Sequence, residues 1–245
     1  MSGNPQTPHG PEHAARAQGP DPSRLVWDLP VRLFHWLLVL AVLGSYITHR
    51  LGLSWFKYHL WCGYTVLVLV TARILWGVVG TRHARFAGFL RGPRTMWRYL
   101  TSWKKGTLHA VGHNPLGAWM VVLLLLLLLA QALTGLYAND QISNTGPLFG
   151  YVSGRTSDQL SSWHHWIFNI LLGAIGLHVI AVLVYRLVRR EDLITPMFSG
   201  RKRHIPITEE IKGSRTWLFA LILLIVSLAL ALIIARAPEA SLSIF

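Results

Sequence analysis

Trp163-His164-His165-Trp166-Ile167-Phe168-Asn169-Ile170-Leu171-Leu172-Gly173-Ala174-Ile175-Gly176-Leu177-His178 is the stretch that decides the fold. With the apolar residues that follow it to Val188 it is long enough to span ~30 Å of hydrocarbon, which takes roughly 20 helical residues. It nevertheless carries three imidazoles, and ionisable groups inside a span are costly and functional by default. His164 and His178 are 14 residues apart. That spacing leaves them ~40° apart around a helix and ~21 Å apart along it. One helix thus offers two imidazoles on nearly the same face, one in each leaflet. His165 points ~100° away from His164 and fits that face poorly.

Four further stretches are apolar enough to cross a membrane: Pro30 to Ile47, His59 to Val79, Leu116 to Tyr137, and Trp217 to Ala235. The third contains the unbroken run Leu123 to Leu129. Composition agrees, with 52% apolar and only 13% charged residues, about half the charged share of a soluble globular chain. Mean hydropathy is +0.41. Cys62 is the single cysteine, which excludes an internal disulfide, a Cys-rich zinc site and the attachment motif of c-type haem. Residues 1–25 are rich in Pro, Gly, Ala and His and read as a disordered tail. Structure is expected to begin at Val26, with Asp28 capping the first helix and Pro30 tolerated in its first turn.

The net charge of +13 is concentrated. Arg82, Arg85, Arg91, Arg94, Arg98, Lys104 and Lys105 lie between spans two and three, and Arg186, Arg189, Arg190, Arg201, Lys202 and Arg203 follow span four. Only Arg155 lies between spans three and four, with Asp140 and Asp158. The positive-inside rule places the N-terminus and both basic segments in the cytoplasm, and the 138–162 loop and C-terminus outside. No nucleic-acid motif accompanies these charges, so they read as a topology signal in contact with membrane lipid.

Depth pairs the remaining intramembrane histidines. His35 meets His178 at the inner level, and His59 meets His164 at the outer level. Two imidazoles facing each other from different helices make a six-coordinate haem iron site. A single such histidine would more often be an interhelical hydrogen-bonding group, but four that pair across three helices are not explained that way. Zinc fits poorly, because neither pair has carboxylate or thiolate partners. Gly44, Gly63, Gly173 and Gly176 leave room either for a flat macrocycle or for close helix packing. Arg73, 14 residues after His59, would face a haem propionate at the inner site or snorkel to the headgroups.

Val26-Trp27-Asp28-Leu29-Pro30-Val31-Arg32, Phe34-His35-Trp36, Arg73-Ile74-Leu75-Trp76-Gly77, Gly80-Thr81-Arg82, Gly112-His113-Asn114-Pro115-Leu116-Gly117, Leu133-Thr134-Gly135, Trp163-His164 and Gly176-Leu177-His178 together resemble the bacterial cytochrome b561 and Ni-hydrogenase b-type cytochrome group. The resemblance implies an all-α integral membrane protein: a four-helix transmembrane haem-binding bundle over residues 26–204, and a C-terminal segment, 205–245, with a fifth transmembrane helix. It further implies two haem b in a bacterial inner membrane, held by His35 with His178 and His59 with His164, and electron exchange with quinone. The redox partner would be a hydrogenase, a molybdoenzyme or a cytochrome c, and the chain an electron-transfer subunit more than a stand-alone enzyme. His113 reads first as a loop histidine and otherwise as a residue near a haem edge or quinone. Two other functions stay in view: a self-contained quinone-reactive oxidoreductase with a small donor, and a polytopic transporter using intramembrane histidines.

Overall fold

The computed structural model describes residues 23–101, 112–203 and 205–238. Its helices are α1 (Leu29–Arg50), α2 (Phe56–Val79), α3 (Phe86–Phe89), α4 (Pro93–Thr101), α5 (Pro115–Tyr137), α6 (Gly154–Leu187), α7 (Thr195–Ser199) and α8 (Thr216–Ala235). Of these, α1, α2, α5, α6 and α8 are long and apolar enough to cross a membrane, and they coincide with the five expected spans. The one departure is the start of α6, nine residues before Trp163. Those nine residues are polar, so hydropathy does not register them. Ser153 caps them by accepting from the Thr156 N–H.

Much of the expected tail, residues 1–22, lies outside the described residues. Arg24–Leu25 do not belong to a disordered tail: they pair antiparallel with Arg201–Lys202. The backbone N–H groups of Val26 and Trp27 then both donate to the Gly200 carbonyl. Ile211 donates to Leu25, and Arg24 to the carbonyl of Ile205. The stretch before α1 and the stretch before α8 are therefore laced together.

Up-and-down connectivity puts the start of α1, the end of α2, the start of α5, the end of α6 and the start of α8 at one end of the bundle, the basic end. Helix α2 is central, packing closely on α1, α5 and α8, whereas α6 packs closely only on α5. Trp76 of α2 is completely buried and meets the edge of Phe219 of α8, centroids 5.4 Å apart. A gap is thereby left between α6 and the α1–α2 pair, crossed by the stacked rings of Tyr46 and Phe168.

Asp28 organises the basic end. It is 1% exposed, and a buried carboxylate is tolerated only where its oxygens are in use. Oδ1 caps α1 by accepting from the Val31 N–H at 2.8 Å; Oδ2 accepts from Trp76 Nε1 at 3.1 Å and from the Thr81 hydroxyl. One side chain thus ties the start of α1 to the end of α2 and to the loop beyond it.

Asp28→Ala would orphan three donors, and should lower stability by on the order of 2–4 kcal/mol. Asp28→Asn, which keeps an acceptor for the cap, should cost less. Thermal denaturation of the purified protein in detergent checks this; equal losses in the two variants would show that the cap contributes nothing and that the contacts of Oδ2 with Trp76 and Thr81 carry the whole effect.

Candidate functional site

At the end of the bundle opposite the basic one, His59 in the first turn of α2 faces His164 of α6. Their ring centroids are 6.3 Å apart and their planes 78° from parallel. That separation is about what two imidazoles sharing one metal ion at bonds of roughly 2 Å require. Both rings are oriented from behind. His59 Nδ1 lies 3.0 Å from the Ser45 carbonyl and 3.1 Å from its hydroxyl. His164 Nδ1 lies 2.9 Å from the Gln131 carbonyl and 3.3 Å from the Thr134 hydroxyl. A carbonyl can only accept, so Nδ1 carries the proton in each ring and Nε2 keeps the lone pair that binds metal.

The local sequence explains why His164 sits where it does. A Cβ at Gly135 would fall 2.9 Å from His164 Cε1, so α5 has a glycine where the imidazole rests. The polar extension of α6 clamps the hairpin. The Ser157 hydroxyl donates to the Tyr137 carbonyl at 2.6 Å and that of Ser161 to the Asn139 carbonyl at 3.1 Å; the Asn139 N–H in turn donates to Ser161. The Gln131 amide nitrogen approaches His164 Nε2 at 3.0 Å, while Oε1 of the same amide is buried with no partner.

Nearer the basic end, His35 lies on α1 and His178 on α6. His35 Nδ1 is buried and unpartnered. Its ring meets the edge of Trp36 at 4.9 Å, and Trp36 is anchored by its indole N–H to the Met197 carbonyl and by stacking on Phe198. Arg73 is 2% exposed, which excludes snorkelling. It donates to the Ala84 carbonyl at 3.1 Å, lies over the Phe86 ring, and has Asp28 as a neighbouring acid. A Cβ at Gly63, Gly173 or Gly176 would meet nothing within 4 Å, so these glycines border open space, whereas Gly44 packs on Cys62.

The structure brings His59 and His164 together, and places His35 on α1 and His178 on α6 nearer the basic end. His165 turns away, its Nδ1 bonded to the Ser161 carbonyl. Ser45 and Gln131 carry no signal in the sequence, whereas Thr134 lies inside the Leu133-Thr134-Gly135 motif.

The chain is similar to known proteins over most of its length. The family model for prokaryotic cytochrome b561 matches residues 26–200. The chain is 28% identical over 209 residues to a probable Ni/Fe-hydrogenase B-type cytochrome subunit of Azotobacter chroococcum mcd 1, covering 71% of this chain and 86% of the relative. A protein of the same description from Bradyrhizobium diazoefficiens is 26% identical over 239 residues, covering 81% and 96%. The probable Ni/Fe-hydrogenase 1 B-type cytochrome subunit of Escherichia coli (strain K12) is 26% identical over 218 residues, covering 74% and 92%.

The Gly112–Gly117 motif is a helix start. Asn114 Oδ1 accepts from the Gly117 N–H at 2.7 Å, with Pro115 opening α5. His113 packs between Trp27 and Phe89, its Nδ1 enclosed and unpartnered although the ring is not wholly covered. Burial first, and then the positive surroundings of Arg73, Lys202, His83 and His178, push its pKa down to about 3. A base whose folded pKa is depressed contributes stability above its unfolded value of ~6.5 that is lost as pH falls toward the folded one. Between pH 7 and pH 5 the protein should lose about 2 kcal/mol that a His113→Phe variant keeps. Denaturation midpoints of both proteins across that range check this; parallel pH profiles would contradict it.

Proposed function

The chain belongs to the prokaryotic cytochrome b561 family, and from that premise we propose that it is a dihaem b-type membrane cytochrome passing electrons between the quinone pool and a redox partner protein. The names of its relatives favour a Ni/Fe-hydrogenase as that partner, and a role as an electron-transfer subunit over a stand-alone enzyme. The observation that carries this reading is the His59–His164 pair, with its 6.3 Å separation and both Nδ1 atoms committed to carbonyls.

The residues present fit a haem. His59 and His164 would hold one group and His35 and His178 the other, and Gly63, Gly173 and Gly176 border space that a flat ring needs. Each haem b would supply a one-electron iron couple, and two imidazoles on one iron leave no position for oxygen or substrate. Ser45, Gln131 and Thr134 hold the outer imidazoles in the metal-binding tautomer. Gln131 must withdraw its amide from His164 Nε2 when that nitrogen is used. Trp36 and its anchor on α7 hold His35 at the depth of His178. Arg73 would present a positive charge to a propionate of the inner group while keeping its hold on Ala84. The basic segments face the cytoplasm of a bacterial inner membrane, leaving the 138–162 loop and the end of α8 on the periplasmic side.

Pyridine haemochrome assay of the purified chain should give two haem b per polypeptide. His164→Ala and Gly135→Val should each lose the outer one, and His165→Ala should retain both. One haem in the unaltered protein would contradict the dihaem reading, and loss in His165→Ala alone would make that residue the ligand. Gentle solubilisation should bring a hydrogenase down with the chain; co-purification of a molybdoenzyme or cytochrome c instead would correct the partner.

A further inference from the structure

Between the last turn of α2 and the loop beyond it lies a cleft of about 680 Å³, lined by Arg82, Arg85 and Arg91 and by no acid. Two close approaches build it. A Cβ at Gly77 would fall 2.1 Å from Phe86 Cε2, and one at Gly88 would fall 2.5 Å from the Arg82 carbonyl oxygen. Phe86 therefore lies directly on α2, and the loop doubles back so that its arginines share one hollow. The far wall is held by Trp119 of α5, whose indole N–H donates to the Arg91 carbonyl at 3.2 Å.

The three charges are not equally neutralised. Arg82 pairs with Glu209 at 2.9 Å and donates to the Thr208 carbonyl. Among the described residues Arg85 has no hydrogen-bond or ion-pair partner, and the Arg91 guanidinium has only a long contact, 3.4 Å, to the Gly88 carbonyl. Exposed arginines alone would be ordinary at the basic end. What sets these apart is the wall beside them: Val78, 68% exposed, lines the same cleft, and Leu75 and Val79 continue an outward apolar strip along α2. The cleft thus presents guanidinium groups where a spanning helix leaves the hydrocarbon, and an apolar track leading back into it. Free phosphate has no use for the track, and an acidic peptide would have to leave water to reach it. An amphiphile with an anionic head matches both parts.

We propose that this cleft is a binding site for one anionic phospholipid. Arg85 and Arg91 take the phosphate, and the acyl chains run along Val78 and Leu75. The same loop presents the Ala84 carbonyl to Arg73, so a lipid seated here braces the basic end of the bundle. The site rests on the membrane topology and the loop geometry, and stands whether one haem or two are bound.

Native mass spectrometry of the delipidated full chain, titrated with phosphatidylglycerol or with phosphatidylcholine of the same acyl chains, tests this. Two charge-assisted contacts correspond to a preference on the order of tenfold for phosphatidylglycerol. The Arg85→Ala/Arg91→Ala double variant should lose most of it, Arg85→Lys/Arg91→Lys should keep much of it, and Arg155→Ala, at the other end of the molecule, should leave it unchanged. An undiminished preference in the double alanine variant would overturn the proposal. So would displacement of the lipid by inorganic phosphate at the lipid's own concentration, which would make this a plain anion site. Should the double variant fail to fold, the unaltered protein decides: its denaturation midpoint should be higher in phosphatidylglycerol than in phosphatidylcholine bilayers at constant salt, and equal midpoints would overturn the site.

Discussion

A single buried carboxylate, that of Asp28, fixes the frame on which everything else hangs. Its oxygens are taken by the α1 cap, the Trp76 indole and the Thr81 hydroxyl, so α1 cannot slide or rotate against α2 without stranding a buried charge. His35 follows Asp28 by seven residues, about two helical turns, so fixing the cap also fixes that imidazole in depth and direction. Trp76 passes the constraint on to α8 through Phe219, and Arg73, one turn before Trp76, carries it into the 81–90 loop through Ala84. The fifth helix is thus braced against the same centre as the first two.

At the other end the constraint is the α5–α6 hairpin. Ser157 and Ser161 satisfy the carbonyls left over where α5 stops, and this holds Gln131, Thr134 and Gly135 against His164. The result is an imidazole whose tautomer, tilt and available nitrogen are decided by its neighbours before any metal arrives. Because α6 packs closely on α5 alone, the face carrying His164 and His178 looks across a gap toward α1 and α2. A helix packed on all sides would have its histidines in place and no room to use them.

Much of this was legible in the sequence because hydropathy and helical period are local properties. The five spans, the two-per-face spacing of His164 and His178, and the Asp28 cap follow from residues read along one helix. What was not legible depends on contacts between helices. Nothing in the sequence marks Ser45 as the partner of His59 or Gln131 as that of His164, and the motif around Thr134 does not disclose its contact with that imidazole, since each is an ordinary polar residue until a second helix faces it. The nine-residue extension of α6 was invisible for a related reason: its polar residues are stabilised by the end of α5 and not by lipid. The sequence leaves Arg73 open between a propionate partner and the headgroups, and its contacts in the structure, a loop carbonyl and the Phe86 ring, come from a segment whose return path the sequence does not disclose. Gly135 stands in the Leu133-Thr134-Gly135 motif, but nothing along its own helix discloses that an imidazole lies on it.

On the proposed reading, four histidines on three helices form two separate bis-imidazole sites. Low-temperature electron paramagnetic resonance of the oxidised, purified chain addresses it most directly, because spin state reports axial ligation. Two low-spin ferric signals in equal amounts, with no high-spin component, are expected from six-coordinate iron at both levels of the bundle. A high-spin signal, or a single low-spin species accounting for all the iron, would contradict the pairing of His35 with His178 and His59 with His164.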